Sequence, residues 1–186
     1  MKVEQTSGTS TWVHAPRQAR SQETFDRFLA ATAALLAERN FDDVTVTDIV
    51  KRADRTVGSF YARFDDKYAV LHELVERSYE HIRAVVRAFC DPLRWENQPI
   101  ADYVAEAIRI NVIAYRRTAP LYRAALRAST TDERFRESRL DLVRFCADQQ
   151  KALLLTRADE MHVDDPARAS DLMFELVVAM LYAELL

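Results

Sequence analysis

The sequence predicts an all-α protein, and three observations carry that expectation. Apolar residues recur at helical spacing in nearly every stretch beyond about residue 20. Helix start and stop signals punctuate those stretches: threonine caps at Thr45 and Thr56, a proline break at Pro92 and a proline start at Pro166. Glycine, which costs about 1 kcal/mol inside a helix relative to alanine, occurs only twice in 186 residues.

Length and composition bound the rest. A chain of 186 residues with 49% apolar content can hold one or two domains with a sizeable core and has the balance of a soluble globular protein. No run of 18 apolar residues exists, so no membrane partner is expected. Residues 1–16 are rich in Ser, Thr and Gln, lack a signal-like apolar stretch, and are expected to form a disordered tail. The two cysteines, Cys90 and Cys146, lack CxxC spacing and suit a reducing cytoplasm, where each reads as a small apolar residue.

The first helix carries Phe25, Phe28, Leu29, Thr32, Leu35 and Leu36 on one stripe. It is expected to stop at Asn40, in a left-handed C′ position, with Phe41 packing back. Thr45-Val-Thr-Asp48 fits a capping box, and Val46, Ile49, Val50 and Ala53 follow at helical spacing. Ala53-Asp-Arg-Thr56 is too short for anything but a tight turn, with Asp54 tolerating a left-handed backbone and Thr56 able to cap the next helix. Two short helices joined in this way form a helix-turn-helix.

The third helix, from Thr56, holds Gly58, the sole glycine after Thr9. At about 100° per residue, Val57, Phe60, Tyr61 and Phe64 share an apolar wedge expected to face a core, with Tyr61 at its border. Gly58, Ser59, Ala62 and Arg63 share the opposite side. A face that slim can press against another molecule's backbone or enter a groove, with an arginine able to pair with phosphate or guanine.

Residues 20–71 resemble the DNA-binding domain of the TetR family of transcription regulators. The segments that carry the resemblance are Phe41-Asp-Asp-Val-Thr-Val-Thr-Asp-Ile49, Thr56-Val-Gly-Ser-Phe-Tyr-Ala-Arg-Phe-Asp-Asp-Lys67 and Ala69-Val-Leu71. The resemblance implies a homodimer whose third helices enter successive major grooves of a pseudo-palindromic double-stranded operator. It implies Tyr61 and Lys67 on phosphates, Ser59 and its neighbours Thr56, Val57 and Gly58 near bases or phosphates, and Thr45 and Thr47 touching the DNA. Three positions depart from the family pattern: Asp54 and Asn40 stand where glycines are usual, and Arg55 replaces an apolar turn residue. Residues 17–67 contain nine Lys/Arg and nine Asp/Glu. DNA affinity therefore depends on where charge sits, with Arg17, Arg20, Arg55, Arg63 and Lys67 as the expected cationic face and a modest salt dependence.

The expected organisation is a tail over residues 1–16, a helix-turn-helix domain over 17–67, and a helical ligand-binding and dimerisation domain over 68–186. In the last of these the fourth helix runs over about 66–89, the fifth over 99–117, a sixth opens at Pro120 and ends near 128, the seventh covers 132–157, and the eighth starts at Pro166. Trp95 lies in the loop after Pro92, exposed or folded back. Asn111 sits on the stripe of Ile100, Val104, Ala107 and Tyr115, and Gln149 on that of Phe135, Leu142, Phe145 and Ala152. A buried amide needs a partner: each other, backbone, water or a ligand. A pocket lined by Asn111, Tyr115, Tyr122, Phe145, Gln149 and Phe174 would take a small, largely apolar or aromatic effector, as the family resemblance also implies. The eighth helix carries Met173, Leu176, Val177, Met180 and Leu181 on a broad apolar stripe, which points to a dimer interface. The family's ninth helix has no counterpart before the last residue, Leu186.

Enzyme chemistry finds no support. No glycine loop cradles a phosphate, no nucleophile elbow is present, and Asp159–Asp165 holds one histidine in an acidic loop, too few ligands for a metal. No cofactor is expected. The reading is a cytoplasmic, ligand-responsive repressor. The alternatives are a helical interaction protein whose reading head no longer binds DNA and, below it, an all-helical enzyme.

Overall fold

The computed structural model describes residues 19–183, with side chains from residue 21. Arg17 lies outside the described residues, and so does the side chain of Arg20. Eight α-helices follow one another: α1 (Ala19–Glu38), α2 (Val46–Ala53), α3 (Val57–Tyr61), α4 (Lys67–Phe89), α5 (Pro92–Trp95), α6 (Ile100–Ala128), α7 (Glu133–Leu155) and α8 (Pro166–Ala183), with short 3-10 turns at Phe41–Asp43 and Ala158–Glu160. No strand occurs among the described residues. The chain divides into two compact units between Val75 and Glu76, inside α4. The sequence boundary after residue 67 falls at the start of that helix.

In the first unit, four phenylalanines make the centre. Phe25 stacks on Phe64 with ring centroids 5.0 Å apart, and Phe28 meets Phe60 edge-on at 5.3 Å. All four are buried, along with Leu29, Leu35, Leu36, Ile49, Val50 and Ala53. Such aromatic pairs contribute about 0.5–1.5 kcal/mol beyond their buried area. Thr32, buried on the same stripe, satisfies its hydroxyl by donating to the Phe28 carbonyl at 2.9 Å.

Helix ends follow the local chemistry, with one correction. Thr45 caps α2 in a complete capping box: its Oγ1 accepts from Asp48 N, and Asp48 accepts from Thr45 N. Asp54 adopts φ 52°, ψ 54°, and Arg55 N donates back to the Val50 carbonyl at 3.0 Å, closing α2 in a left-handed turn. Asn40, expected to be left-handed, is instead extended at φ −62°, ψ 141°. The chain leaves α1 straight into an extended step that drops Phe41 into the core, where it is 4% exposed, so no left-handed residue is needed.

The second unit differs from expectation at Pro120. The fifth and sixth helices are one, α6, with Pro120 inside it. Proline removes the bond to the Arg116 carbonyl, but Arg116 and Arg117 are exposed, so water can serve that acceptor. The helical phase also survives the break: Tyr115 and Tyr122, seven residues apart, fall on one face with ring centroids at 5.7 Å. Trp95 is folded back and 3% exposed, its Nε1 donating to the Phe89 carbonyl at 2.6 Å. Phe89, Trp95, Tyr103, Ala107, Leu153 and Leu154 form the buried core of this unit. No helix of the described residues is long and apolar enough to cross a membrane.

Candidate nucleic-acid interface and ligand cavity

Helix α3 is held by two side chains and leaves the rest of its surface open. Phe60 and Phe64 are fully buried. Thr56 caps the helix, accepting from Ser59 N at 3.2 Å, and the Ser59 hydroxyl donates to the Thr56 carbonyl at 2.8 Å. The apolar wedge is narrower than the sequence suggested. Val57 is 46% and Tyr61 52% exposed: α3 buries Phe60 alone, and Phe64 follows beyond the end of the helix at Tyr61. Tyr61 packs its ring edge-on to Phe60 at 5.6 Å, which holds an exposed phenol in place.

Gly58 is exposed, and a Cβ built on it would meet nothing within 4 Å. Its φ is not positive. Neither backbone conformation nor internal packing therefore requires a glycine there, and the requirement must come from outside the subunit or not exist. Beside it, Thr45 and Thr47 at the start of α2 are exposed, as is Thr56.

Of the cations expected at this face, Arg55, Arg63 and Lys67 are engaged with the protein. Arg63 turns back: Nη1 donates to the Ser59 carbonyl at 2.8 Å and Nη2 to Ser21 Oγ at 3.2 Å on α1. Arg55 reaches Thr24 Oγ1 and Glu23 Oε1, both at 3.4 Å, and the Asp54 carbonyl at 2.7 Å. Lys67 donates to the carbonyls of Phe41, Asp42 and Val44 at 3.1, 2.9 and 2.8 Å, and its ammonium lies over the Phe41 ring. An ammonium has three N–H donors, so Lys67 locks the 3-10 turn with all of them and has none left for a phosphate. Nothing in the sequence spacing signals that role. Asp48 is flanked by Arg39 at 3.1 Å. Its carboxyl is held at about 2, first by the hydrogen bonds from Thr45 and then by Arg39.

In the second unit, α4, α6, α7 and α8 enclose a cavity of about 330 Å³. Asn111, Tyr115, Tyr122 and Phe174 line it, as the sequence suggested. Phe145 and Gln149 do not. Phe145 packs under the Arg87 guanidinium at 4.9 Å, and Gln149 is half-buried away from the lining. The two amides do not pair: Asn111 Nδ2 donates to the Ala107 carbonyl at 2.8 Å. The sequence reading missed Tyr79, Arg139, Cys146 and Tyr182, which also line the cavity. A signal for Arg139 was available, since it falls four residues after Phe135 on the apolar stripe of α7. Burial pushes the Cys146 thiol up to about 11, which keeps it an unreactive apolar wall. Burial also raises the Tyr115 phenol above its ordinary value.

The expected dimer face on α8 divides in two. Leu176 and Met180 are 64% and 69% exposed, and Leu172 joins them at i, i+4, i+8 spacing. Met173 packs on the core, Leu181 lines the cavity, and Val177 is half-buried. An 18-residue helix that serves both a core and an outer face cannot present all five on one side.

Residues 28–74 match the family described as bacterial regulatory proteins, tetR family. Those residues carry the helix-turn-helix, and the resemblance to that family is shown over them. Among relatives, the HTH-type transcriptional regulator YdgC of Bacillus subtilis, itself uncharacterised, is 32% identical over 71 residues. That match spans 38% of this chain and only 36% of the relative's own length. Solved structures share the chain's fold over more of its length. GusR of Salmonella enterica covers 87% of the chain, and is itself covered to 81%, at TM-score 0.64 and 23% identity. A transcriptional regulator from Aquifex aeolicus covers 86%, and is covered to 83%, at 0.60 and 20%. The all-α architecture is shared with those structures, and the N-terminal helix-turn-helix is the part that matches the family. The family is one of DNA-binding transcription regulators, not enzymes.

Proposed function

We propose that this chain is a ligand-responsive repressor that binds a pseudo-palindromic duplex operator as a homodimer and is released by a small effector. The observation that carries the reading is the outward face of α3, where Gly58 is exposed and unconstrained by its own protein while Phe60 and Phe64 anchor the helix from behind. A missing Cβ there lets the helix backbone approach the groove closely. Tyr61 and Thr56 offer hydroxyls to phosphates, and Thr47 does so from α2, whereas the hydroxyls of Ser59 and Thr45 donate within the protein.

The cavity lined by Tyr115, Tyr122 and Phe174 is the proposed effector site. Helix α4 runs unbroken through the boundary between the units, so an effector acting on Tyr79–Phe89 acts on the element whose first two turns belong to the DNA-binding unit. Such coupling requires the effector to bind the two states with different affinity. The exposed row Leu172, Leu176 and Met180 is the proposed centre of the subunit interface. Action on DNA places the protein in the cytoplasm.

Selection from random duplexes tests the reading. The expected product is one enriched pseudo-palindrome, with binding lost in Tyr61→Ala at unchanged helicity. Recovery of no enriched sequence would leave the chain as a helical interaction protein and overturn the proposal.

A further inference from the structure

The cavity is not uniform along its length, and its two ends name a class of ligand. Helix α6 runs antiparallel to α4: Tyr122 Oη lies 3.2 Å from Ser78 Oγ, while the Tyr103 ring packs 5.3 Å from Phe89. One end of the cavity therefore gathers Tyr79 and Tyr122, whose rings are 6.2 Å apart, with Tyr115 beside Tyr122. Tyr182, Arg139 and, from α4, Glu76 belong to the same end, since all three act electrostatically on the Tyr79 phenol, though Glu76 does not line the cavity. Toward the other end the lining turns apolar through Ile82 and Val86 to Phe89, which belongs to the buried core.

Arg139 is the feature that needs an explanation. Its Nη1 donates to Tyr182 Oη at 3.3 Å, and its guanidinium lies 5.6 Å from the centre of that ring. Its Nε is buried with no partner, and so is the hydroxyl of Tyr115. No carboxylate is among the described residues that line the cavity. Arg139 is half-buried, and the Glu76 carboxylate, which also acts on the Tyr79 phenol, does not line the cavity; the planar fork of the guanidinium matches a ligand carboxylate in two-point contact. Among the described lining residues a ligand cation would meet no acid, and a doubly charged phosphate would meet one arginine and His81.

Resting on the reading of this cavity as the effector site, we propose that it binds a monocarboxylate carried on an apolar aliphatic or aromatic body. The carboxylate sits on Arg139 with the tyrosine hydroxyls, and the body extends along α4 toward Phe89. Tyr115 donates its unpartnered hydroxyl to the second carboxylate oxygen or to the ligand's neighbouring polar atom.

Titration calorimetry on the full chain tests this with matched probes: decanoate, decanol and decylamine, and naphthylacetate with naphthylethanol. At least one acid is expected to bind about tenfold or more tighter than its alcohol, with decylamine weakest. Arg139→Gln is expected to bring that acid within about threefold of its alcohol while the alcohol's own affinity stays unchanged. Arg139→Lys keeps the charge, so it retains part of the preference and controls for a folding defect in Arg139→Gln. Alcohols or decylamine binding as tightly as the acids, or a preference that survives Arg139→Gln, overturns the carboxylate assignment and leaves the cavity as an effector site. Failure of every probe to bind the wild-type chain overturns both.

Discussion

At the scale of single residues, Gly58 and Lys67 show how an outward and an inward role are told apart. A Cβ at Gly58 has open space around it, so Gly58→Ala is expected to stabilise the fold by about 0.5–1 kcal/mol, read from urea unfolding. A loss of stability would mean that the glycine serves the fold after all. Lys67 is the reverse case. Its ammonium holds three backbone carbonyls of the 41–44 turn, so Lys67→Met is expected to cost about 1–3 kcal/mol of stability. A lysine that served phosphate instead would leave unfolding unchanged and reduce the salt dependence of DNA binding by about one unit of slope. At Asp54, the positive φ makes Asp54→Gly a stabilising change of about 1 kcal/mol, measured the same way.

At the scale of elements, the capping box of α2 carries a pH signature. Asp48 has its carboxyl lowered to about 2 from an ordinary value near 3.8. A carboxyl lowered on folding stabilises the native state fully above its unfolded value, and that contribution fades as pH falls toward the folded one. Wild type is therefore expected to outlast Asp48→Asn in urea at pH 6, with the gap narrowing between about pH 4 and pH 2; a gap constant down to pH 2 would remove Asp48's charge from the account. The box was legible because its chemistry is local: Thr45 and Asp48 reach each other within one turn. The same holds for the Thr56 cap and the left-handed Asp54. The misreadings were not local. Asn40 is extended because Phe41 is drawn into the core, and Val57 is exposed because the short α3 buries only Phe60. Pro120 reads as a break by its own chemistry, yet the phase shared by Tyr115 and Tyr122 showed one continuous helix. Four of the six expected cavity residues were visible as polar or aromatic groups on apolar stripes. Phe145 and Gln149 share their helix's stripe but turn to other neighbours, which only packing decides.

At the scale of the whole molecule, two surfaces carry the proposal. The row Leu172, Leu176 and Met180 is large and apolar for an exposed face. Leu176→Glu combined with Met180→Glu is expected to shift sedimentation from dimer to monomer without loss of helicity, and a persistent dimer would place the interface elsewhere. On the DNA side, Arg55, Arg63 and Lys67 are bound to their own protein, so few phosphates are neutralised. The proposed central contact is the outward side of α3, and operator affinity of Gly58→Leu tests it most directly, measured by gel shift on the selected duplex beside a melting curve of the same protein. A loss of about a hundredfold or more at an unchanged melting temperature is the expected result, since a bulky side chain would hold the helix off the groove. Affinity within about threefold of wild type would show that this face does not meet DNA.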